Sequence, residues 1–350
     1  MTLTGEARAI TNEAAPGNVV AFARFDVSKN GMLAIATTNG GQQGQVNWVD
    51  PQGQVARTLT LPEDTELLNP EVSPDGARVA GARMDPATGN WDIWIVNADS
   101  GEATRVTRQP GIDSDPMWSP DGAELAYVSR RTDVHGIFRM ALADGREQLL
   151  MKLGPVIGGV TDVRPTGWSG DGRFVLVQSA TVDTGRDMLA VPADGGEPIP
   201  ALFTPSLEVN GRVSPDGRWI AYQSNDSGEH HIYVRPFLRP GAPTRVSVTP
   251  GALPQWRGDG RELFWEAPAP GDRAAKILYA ADLTTDGTTI RGGTPRRVFP
   301  PEVRFMTLVD NRRQWAAAPD GRHFVLRQAD GPPGPAVKVI LNWPAVLRRQ

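Results

Sequence analysis

The 350-residue sequence contains no cysteine. That excludes disulfides, thiolate metal centres and a cysteine nucleophile. Histidine is scarce, with only His135, His230, His231 and His323 in the whole chain. A histidine-rich catalytic or zinc centre is therefore disfavoured. His230 and His231 are adjacent on a strand-like stretch, so their side chains point to opposite faces and are poorly placed to hold one ion together. Neither charge sign dominates, with 36 Lys and Arg against 40 Asp and Glu and a net charge of -4. Nucleic acid needs a basic surface, so it is not an expected partner. Long apolar runs are missing as well. The longest, Val337 to Leu347, is broken by Asn342 and Pro344 and falls short of the roughly 20 residues of a spanning helix. Residues Met1 to Glu6 show no basic stretch leading into an apolar one, so neither a membrane span nor an export signal is expected.

What is abundant is glycine and proline, 38 and 31 residues, or about one position in five. Hydrophobic residues make up 39%, enough for a sizeable core. The length exceeds one simple core, which leaves several domains or a repeat array. The repeats decide between them. Ser73-Pro74-Asp75-Gly76 recurs as Ser119-Pro120-Asp121-Gly122 and Ser214-Pro215-Asp216-Gly217. Degenerate copies end at Gly31, Gly172, Gly260 and Gly321. The closing glycines, at 31, 76, 122, 172, 217, 260 and 321, are spaced like the blades of a propeller, at about 40 to 50 residues each.

Each copy has the chemistry of a hairpin turn. Proline presets the second position, aspartate suits the third, and glycine takes the fourth. Three residues before each Asp or Asn sit Val27, Val72, Trp118, Trp168, Val213, Trp256 and Ala317. Four residues after it sit Ala34, Val79, Leu125, Val175, Ile220, Leu263 and Phe324. All are apolar and are flanked by alternating patterns, which is strand periodicity. A third strand, such as Asp92 to Val96, and a fourth, such as Gly101 to Thr107, follow. Each repeat thus reads as one four-stranded antiparallel blade. The expected fold is an all-β, seven-bladed β-propeller forming one domain over residues 1–350, with a six-bladed ring as the alternative. Residues 5–11 match the fourth-strand segment at 101–107. They are expected to complete the last blade beside strands at 322–328 and 337–343, closing the ring and removing exposed edges.

These residues carry a family likeness. The Trp-Ser-Pro-Asp-Gly repeats resemble the WD40-like propeller repeats of TolB-type proteins. Phe25 to Gly31, Asp115 to Gly122, Tyr233-Val234-Arg235-Pro236-Phe237, Pro254 to Gly260 and Val339-Ile340-Leu341-Asn342-Trp343 resemble, in that order, the C-terminal propeller of bacterial, especially acidobacterial-type, serine/threonine protein kinases. The likeness covers essentially the whole chain and implies an extracytoplasmic sensory or interaction module. The Gly-rich loop, strand lysine, His-Arg-Asp loop and Asp-Phe-Gly site of a kinase are all missing, so kinase activity is not implied.

Several motifs hint at chemistry and are better read as turns. Gly167 to Asp171 looks like a nucleophile elbow but is the fourth turn copy, with no helix pattern after it. Arg257-Gly258-Asp259 looks like an adhesion tripeptide but is the sixth copy. The turn aspartates fall in separate blades and cannot converge on one calcium ion. Trp118, Trp168 and Trp256 share one repeat position and suit packing between twisted sheets. No catalytic residue, metal ligand or cofactor is assigned. The candidate ligand site is the set of polar residues just before and within each first strand: Asn69, Asp113, Asp115, Asp162, Arg164, Glu208, Asn210 and Arg212. In a propeller these positions ring one mouth of the channel. The expected partner is a protein or a small molecule bound at one face, by a module that is extracytoplasmic if it belongs to a receptor-like kinase and cytoplasmic otherwise. The alternatives are a stand-alone TolB-like periplasmic scaffold, and a propeller hydrolase or lyase with a metal in its channel.

Overall fold

The computed structural model describes residues 25–27, 32–35, 45–50, 52, 54–59, 67–85, 88–154, 163–181, 185–299, 305–306, 315–328 and 338–341. These residues are strands and turns with no helix among them, and none forms a helix long and apolar enough to cross a membrane. The chain divides into two compact units. The smaller holds residues 1–44, 158–160 and 329–350. Its described strands are β1 (Phe25–Val27), β2 (Met32–Ile35) and β29 (Lys338–Leu341), in one antiparallel sheet with β2 central.

The larger unit holds residues 45–157 and 161–328. It begins with β3 (Gln45–Val49) and β4 (Val55–Leu59). Blade 1 follows as β5 (Leu68–Val72), β6 (Arg78–Met84), β7 (Trp91–Asn97) and β8 (Ala103–Arg105). Blade 2 is β9 (Ile112–Trp118), β10 (Glu124–Arg130), β11 (His135–Ala141) and β12 (Glu147–Lys152). A single parallel bridge, Trp91 to Ile112, joins blades 1 and 2. Blade 3 is β13 (Arg164–Trp168), β14 (Phe174–Thr181), β15 (Gly185–Pro192) and β16 (Ile199–Leu202). Blade 4 is β17 (Glu208–Val213), β18 (Trp219–Ser224), β19 (His231–Pro236) and β20 (Thr244–Arg245). Blade 5 is β21 (Ala252–Trp256), β22 (Glu262–Ala269) and the long β23 (Asp272–Thr285). Three short segments pair with β23: β24 (Ile290–Gly292), β25 (Arg296–Arg297) and β26 (Phe305–Met306).

The sixth sheet is assembled from both ends of the unit. β27 (Trp315–Ala317) pairs with β28 (Phe324–Gln328), and β28 pairs with β3, in the order β27-β28-β3-β4. Both edges of β28 are therefore occupied, and β29 pairs with β2 instead. This differs from the expected last blade, in which 322–328 and 337–343 were neighbours. Residues 5–11 lie outside the described residues. The copy at Ser28 to Gly31 lies outside the described residues, and the other six turns fall one to each blade of the larger unit.

Apolar cores sit between blades, one at each of six junctions. Leu68 and Ile93 of blade 1 pack with Leu125 and Phe138 of blade 2. Met117 and Ile137 of blade 2 pack with Trp168 and Val175 of blade 3. Leu176 meets Ile220 between blades 3 and 4, and Trp219 meets Trp265 between blades 4 and 5. Phe264 meets Trp315 and Phe324 between blades 5 and 6. Val79 and Val96 meet Ala316 and Val325 between blades 6 and 1, which closes the cycle. The larger unit is thus a ring of sheets, a β-propeller. The apolar residue four positions after each turn Asp, from Val79 through Leu125, Val175, Ile220 and Leu263 to Phe324, has no exposed surface.

The turns explain themselves atom by atom. The Ser119 carbonyl accepts the Gly122 N–H at 2.9 Å. With that carbonyl occupied, the Ser119 hydroxyl accepts the Glu124 N–H at 2.9 Å and donates to Asp121 at 2.6 Å. Asp121 also accepts the Ala123 N–H at 3.0 Å. Gly122 has φ of 69°, a conformation that side chains resist. The same bonds recur at Ser73, Ser169 and Ser214. At Arg257-Gly258-Asp259 the guanidinium replaces the serine hydroxyl, with Nε 2.8 Å from Asp259. The tripeptide's two charges are spent on each other.

The two copies that carry glycine in place of proline, at Gly170 and Gly258, do so because the next blade is in the way. A Cβ on Gly170 would stand 1.9 Å from the Pro215 carbonyl oxygen, and one on Gly258 would stand 2.7 Å from the Pro319 oxygen. Gly170→Ala is accordingly expected to destabilise the fold by at least the upper end of the roughly 1–3 kcal/mol typical of overpacking, measured by urea unfolding.

The turn aspartates also set an acid limit. Hydrogen bonds from Ser73 and the Ala77 N–H hold the Asp75 carboxyl below its usual range, and Ser119 and the Ala123 N–H do the same for Asp121. Their stabilisation is complete above the usual carboxylate range and is lost as pH falls through it toward the lowered folded values. The urea midpoint of the wild type should therefore drop more between about pH 5 and about pH 3 than that of Asp75→Asn/Asp121→Asn, whose side chains do not titrate.

Candidate functional site

The first strand of each blade lines the channel, and five of the six are bulged. The register slips between Leu68 and Glu71, Ser114 and Met117, Pro165 and Gly167, Val209 and Arg212, and Ala252 and Gln255. A bulge adds a residue to one strand and re-aims its side chains. At four of these bulges a residue adopts the left-handed conformation: Asn69 at φ 51°, Asp115 at 57°, Asn210 at 56° and Leu253 at 54°. Asn and Asp tolerate it best, which accounts for Asn69, Asp115 and Asn210.

The bulges converge. Asn69, Asp115, Arg164, Asn210 and Arg212, drawn from blades 1 to 4, line one small opening of about 30 Å³ together with Leu253 and Pro254 of blade 5. Asn69 Nδ2 donates to Asp115 Oδ1 at 2.8 Å, linking blades 1 and 2. Arg164 Nη2 donates to Asn210 Oδ1 at 3.2 Å, linking blades 3 and 4. The Asn210 amide is held in turn, donating to Gln223 Oε1 at 3.0 Å while its backbone N–H donates to Gln178 Oε1 at 3.1 Å. The mouth is a ring of oriented side-chain amides and charges.

Two expected members are elsewhere. Asp113 precedes its bulge and is buried inside blade 2, near Ser129, Thr107 and Arg131, where burial pushes its carboxyl up. Glu208 opens β17 and is buried against Thr204, whose hydroxyl donates to it. Burial raises its carboxyl against the pull of that bond, and the charges of Asp187 and Asp226 add to the rise. Asp162 lies outside the described residues. Of the histidines, His231 bonds Ser247 at 3.1 Å in the body of blade 4, and His323 bonds the turn Asp320 at 2.6 Å. Among the described residues no three of His, Cys, Asp and Glu are grouped to hold a metal ion.

One participant escaped the sequence reading. Glu71 faces Arg212 in a two-pronged ion pair, with Nη1 to Oε1 at 2.7 Å and Nη2 to Oε2 at 2.9 Å. Glu71 belongs to blade 1 and Arg212 to blade 4, three blades away in either direction, so the pair crosses the channel. Each side chain is 16% exposed. Burial pushes the Glu71 carboxyl up, and the Arg212 charge pulls against that rise. Trp118 of blade 2 donates its indole N–H to the Glu71 carbonyl at 3.0 Å, and Trp256 of blade 5 does the same to the Arg212 carbonyl at 2.9 Å. Trp168 packs with blade 2 but donates to Gly172 of its own turn. On the turn side of the ion pair lies a cavity of about 390 Å³, lined by these three tryptophans and the turn prolines.

The comparisons agree with this architecture. Residues 64–181 match the family model of the TolB beta propeller domain. The chain is 26% identical over 143 residues to the Protein TolB homolog of Chlorobium luteolum, covering 41% of this chain and 31% of that protein. It is 32% identical over 145 residues to the uncharacterized peptidase YuxL of Bacillus subtilis, covering 38% of this chain and 20% of that one. The chain thus spans a third or less of these curated relatives. Among solved structures, a TolB from Agrobacterium tumefaciens superposes with a TM-score of 0.61 at 16% identity, over 83% of this chain and 99% of that one. An oligogalacturonate lyase in complex with manganese superposes at 0.51 and 15% identity, over 92% and 82%. The fold is a TolB-like β-propeller.

Removing one partner of a buried ion pair leaves a charge without compensation. Glu71→Ala should destabilise the ring by about 3 kcal/mol, and Glu71→Leu/Arg212→Met should recover most of that loss, read from urea unfolding at neutral pH.

Proposed function

We propose that this chain is a non-catalytic binding propeller that takes a protein or small-molecule ligand at the bulged mouth of its channel. The observation that carries this reading is the convergence of Asn69, Asp115, Arg164, Asn210 and Arg212 from four blades onto one opening. Polar groups brought together by separate elements, at the end of a channel, are the usual make-up of a recognition site. The TolB likeness supports a role in binding or as a scaffold. The resemblance to the C-terminal propellers of receptor-like serine/threonine kinases supports the finer reading of an extracytoplasmic sensory module. A second reading, a propeller hydrolase or lyase, is favoured by the superposition on the oligogalacturonate lyase. It needs metal donors at the axis. Among the described residues the mouth supplies one carboxylate, Asp115, already bonded to Asn69 and to Ser114.

Selection of displayed random peptides on the immobilised protein tests the binding reading. Peptides that bind the wild type should lose about tenfold or more in affinity for Asp115→Asn/Arg164→Gln, the loss of one or two charge-assisted hydrogen bonds, measured at a temperature at which melting shows both proteins folded. Peptides that bind the double variant equally well would place recognition elsewhere. Stoichiometric uptake of a divalent metal with lyase or hydrolase turnover would replace the binding reading with the enzymatic one.

A further inference from the structure

The hydrogen bonds from Asn69 to Asp115 and from Arg164 to Asn210 cross the seams between blades 1 and 2 and between blades 3 and 4. Each of these seams also holds two buried acids that do not line the mouth. Asp113 stands two residues before Asp115, and Glu208 two residues before Asn210. Each feels the charge of an acid on the third strand of the preceding blade, Asp92 of β7 for Asp113 and Asp187 of β15 for Glu208. All four acids are buried. Packing does not ask for an acid at this position. In blade 1 the residue two before Asn69 is Leu67, which is fully buried.

The first seam is the sharper case. A parallel bridge joins Trp91 to Ile112, so the residues that follow them, Asp92 and Asp113, lie side by side. Asp92 is equipped to carry charge. Arg105 Nη2 stands 2.7 Å from it, Asn90 Nδ2 donates to it at 3.2 Å, and the Thr107 hydroxyl does so at 3.4 Å. Arg83, opposite Asp92 on β6, lies over the Trp94 ring. Asp113 is not so equipped. Both of its oxygens are buried, and neither has a hydrogen bond of normal geometry. Arg131, between β10 and β11, faces it but is committed elsewhere. Its Nη1 and Nη2 donate to Glu147 of β12 at 2.9 and 2.8 Å, and its Nε donates to Ser129 at 2.9 Å. Tyr127 of β10 donates to the same Glu147. Burial pushes the Asp113 carboxyl up. Ser129, Thr107 and Arg131 pull against that rise, and the charge of Asp92 adds to it. A buried carboxyl without donors keeps its proton.

We propose that Asp92 and Asp113 hold one proton between them, that Asp113 releases it as pH rises, and that the two facing charges then part blades 1 and 2 at the mouth, separating Asn69 from Asp115 and weakening ligand binding. The O–H bond of Asp113 breaks and its proton goes to solvent. Two carboxylates are left at the seam with Arg105 already engaged by one of them. A carboxyl raised in the folded protein contributes its stability in full below the ordinary carboxylate range, and loses it as pH climbs through the raised value. The effect on ligand rests on the binding reading of the mouth. The shared proton does not.

Three measurements test this. Infrared difference spectra of wild type against Asp113→Asn at about pH 6, above the range of an ordinary aspartate, should show the C=O stretch of a protonated carboxyl in the wild type alone. The urea midpoint of the wild type should fall relative to that of Asp113→Asn as pH rises from about pH 5 to about pH 9. Asp113→Leu, which copies Leu67, should follow the amide variant. Displayed peptides selected on the wild type at about pH 6 should weaken by up to about tenfold for each further unit of pH, the slope of one linked proton, and should not do so on Asp113→Asn. Absence of the carboxyl band, with the same pH profile of unfolding in all three proteins, overturns the shared proton. Peptide affinities that change alike with pH on wild type and Asp113→Asn overturn the link to the mouth. Peptides that bind Asp115→Asn/Arg164→Gln as well as wild type strike the mouth reading instead, and leave the infrared and unfolding results to decide the proton pair.

Discussion

The larger unit depends on a small conflict over one carbonyl. In each Ser-Pro-Asp-Gly turn the serine carbonyl is taken by the glycine N–H, so the strand leaving the turn must find another acceptor. The serine hydroxyl supplies it, and the aspartate orients that hydroxyl while capping the next N–H. The turn is thereby rigid at the point where the first strand of a blade becomes the second. That rigidity places the apolar residue after the turn at the junction with the next blade, and it sets proline rings around one end of the channel. Sheet, core and cavity all follow from that local geometry.

Much of this was legible in the residues. Turn chemistry and period-2 alternation pointed to four-stranded blades, and the apolar residues four positions after the six described turns proved to be buried junction residues. The degenerate copies were the less legible part. Gly170 and Gly258 looked like drift from a motif, yet each is dictated by a carbonyl of the following blade. That contact is invisible to any single repeat. The pairing at the ends was equally hidden. A strand carries no mark of which distant edge it will join, and β28 has the pattern to accept β3 or a later segment equally well.

The candidate site divides along the same line. Positions set by the local repeat converged as expected, because Asn69, Asp115 and Asn210 share one bulge site and bulges re-aim side chains in the same way. Asp113 and Glu208 did not, because they sit two residues before the left-handed positions Asp115 and Asn210, where the strand still buries its side chain in the blade. Glu71 was missed for a different reason. It occupies the same repeat position as Arg212, and opposite charges at one position in different blades are a readable signal. Only in a ring of six, however, does the first blade have a fourth directly across from it, so the meaning of that signal depends on a blade count the residues alone left open.

The pairing of β28 with β3 has a consequence in time. Strands β3 and β4 pair with each other ahead of every blade they will help to close, and the second partner of β3, β28, comes from the far end of the unit. During synthesis they must wait, with an unpaired edge, until the last turn has been made. Contacts of such long sequence separation form slowly, since the loop must close before the contact is rewarded. The final seam is then the pairing with the longest loop to close in the larger unit, and an interrupted or slowly translated chain would spend that interval with a sheet edge open to other chains.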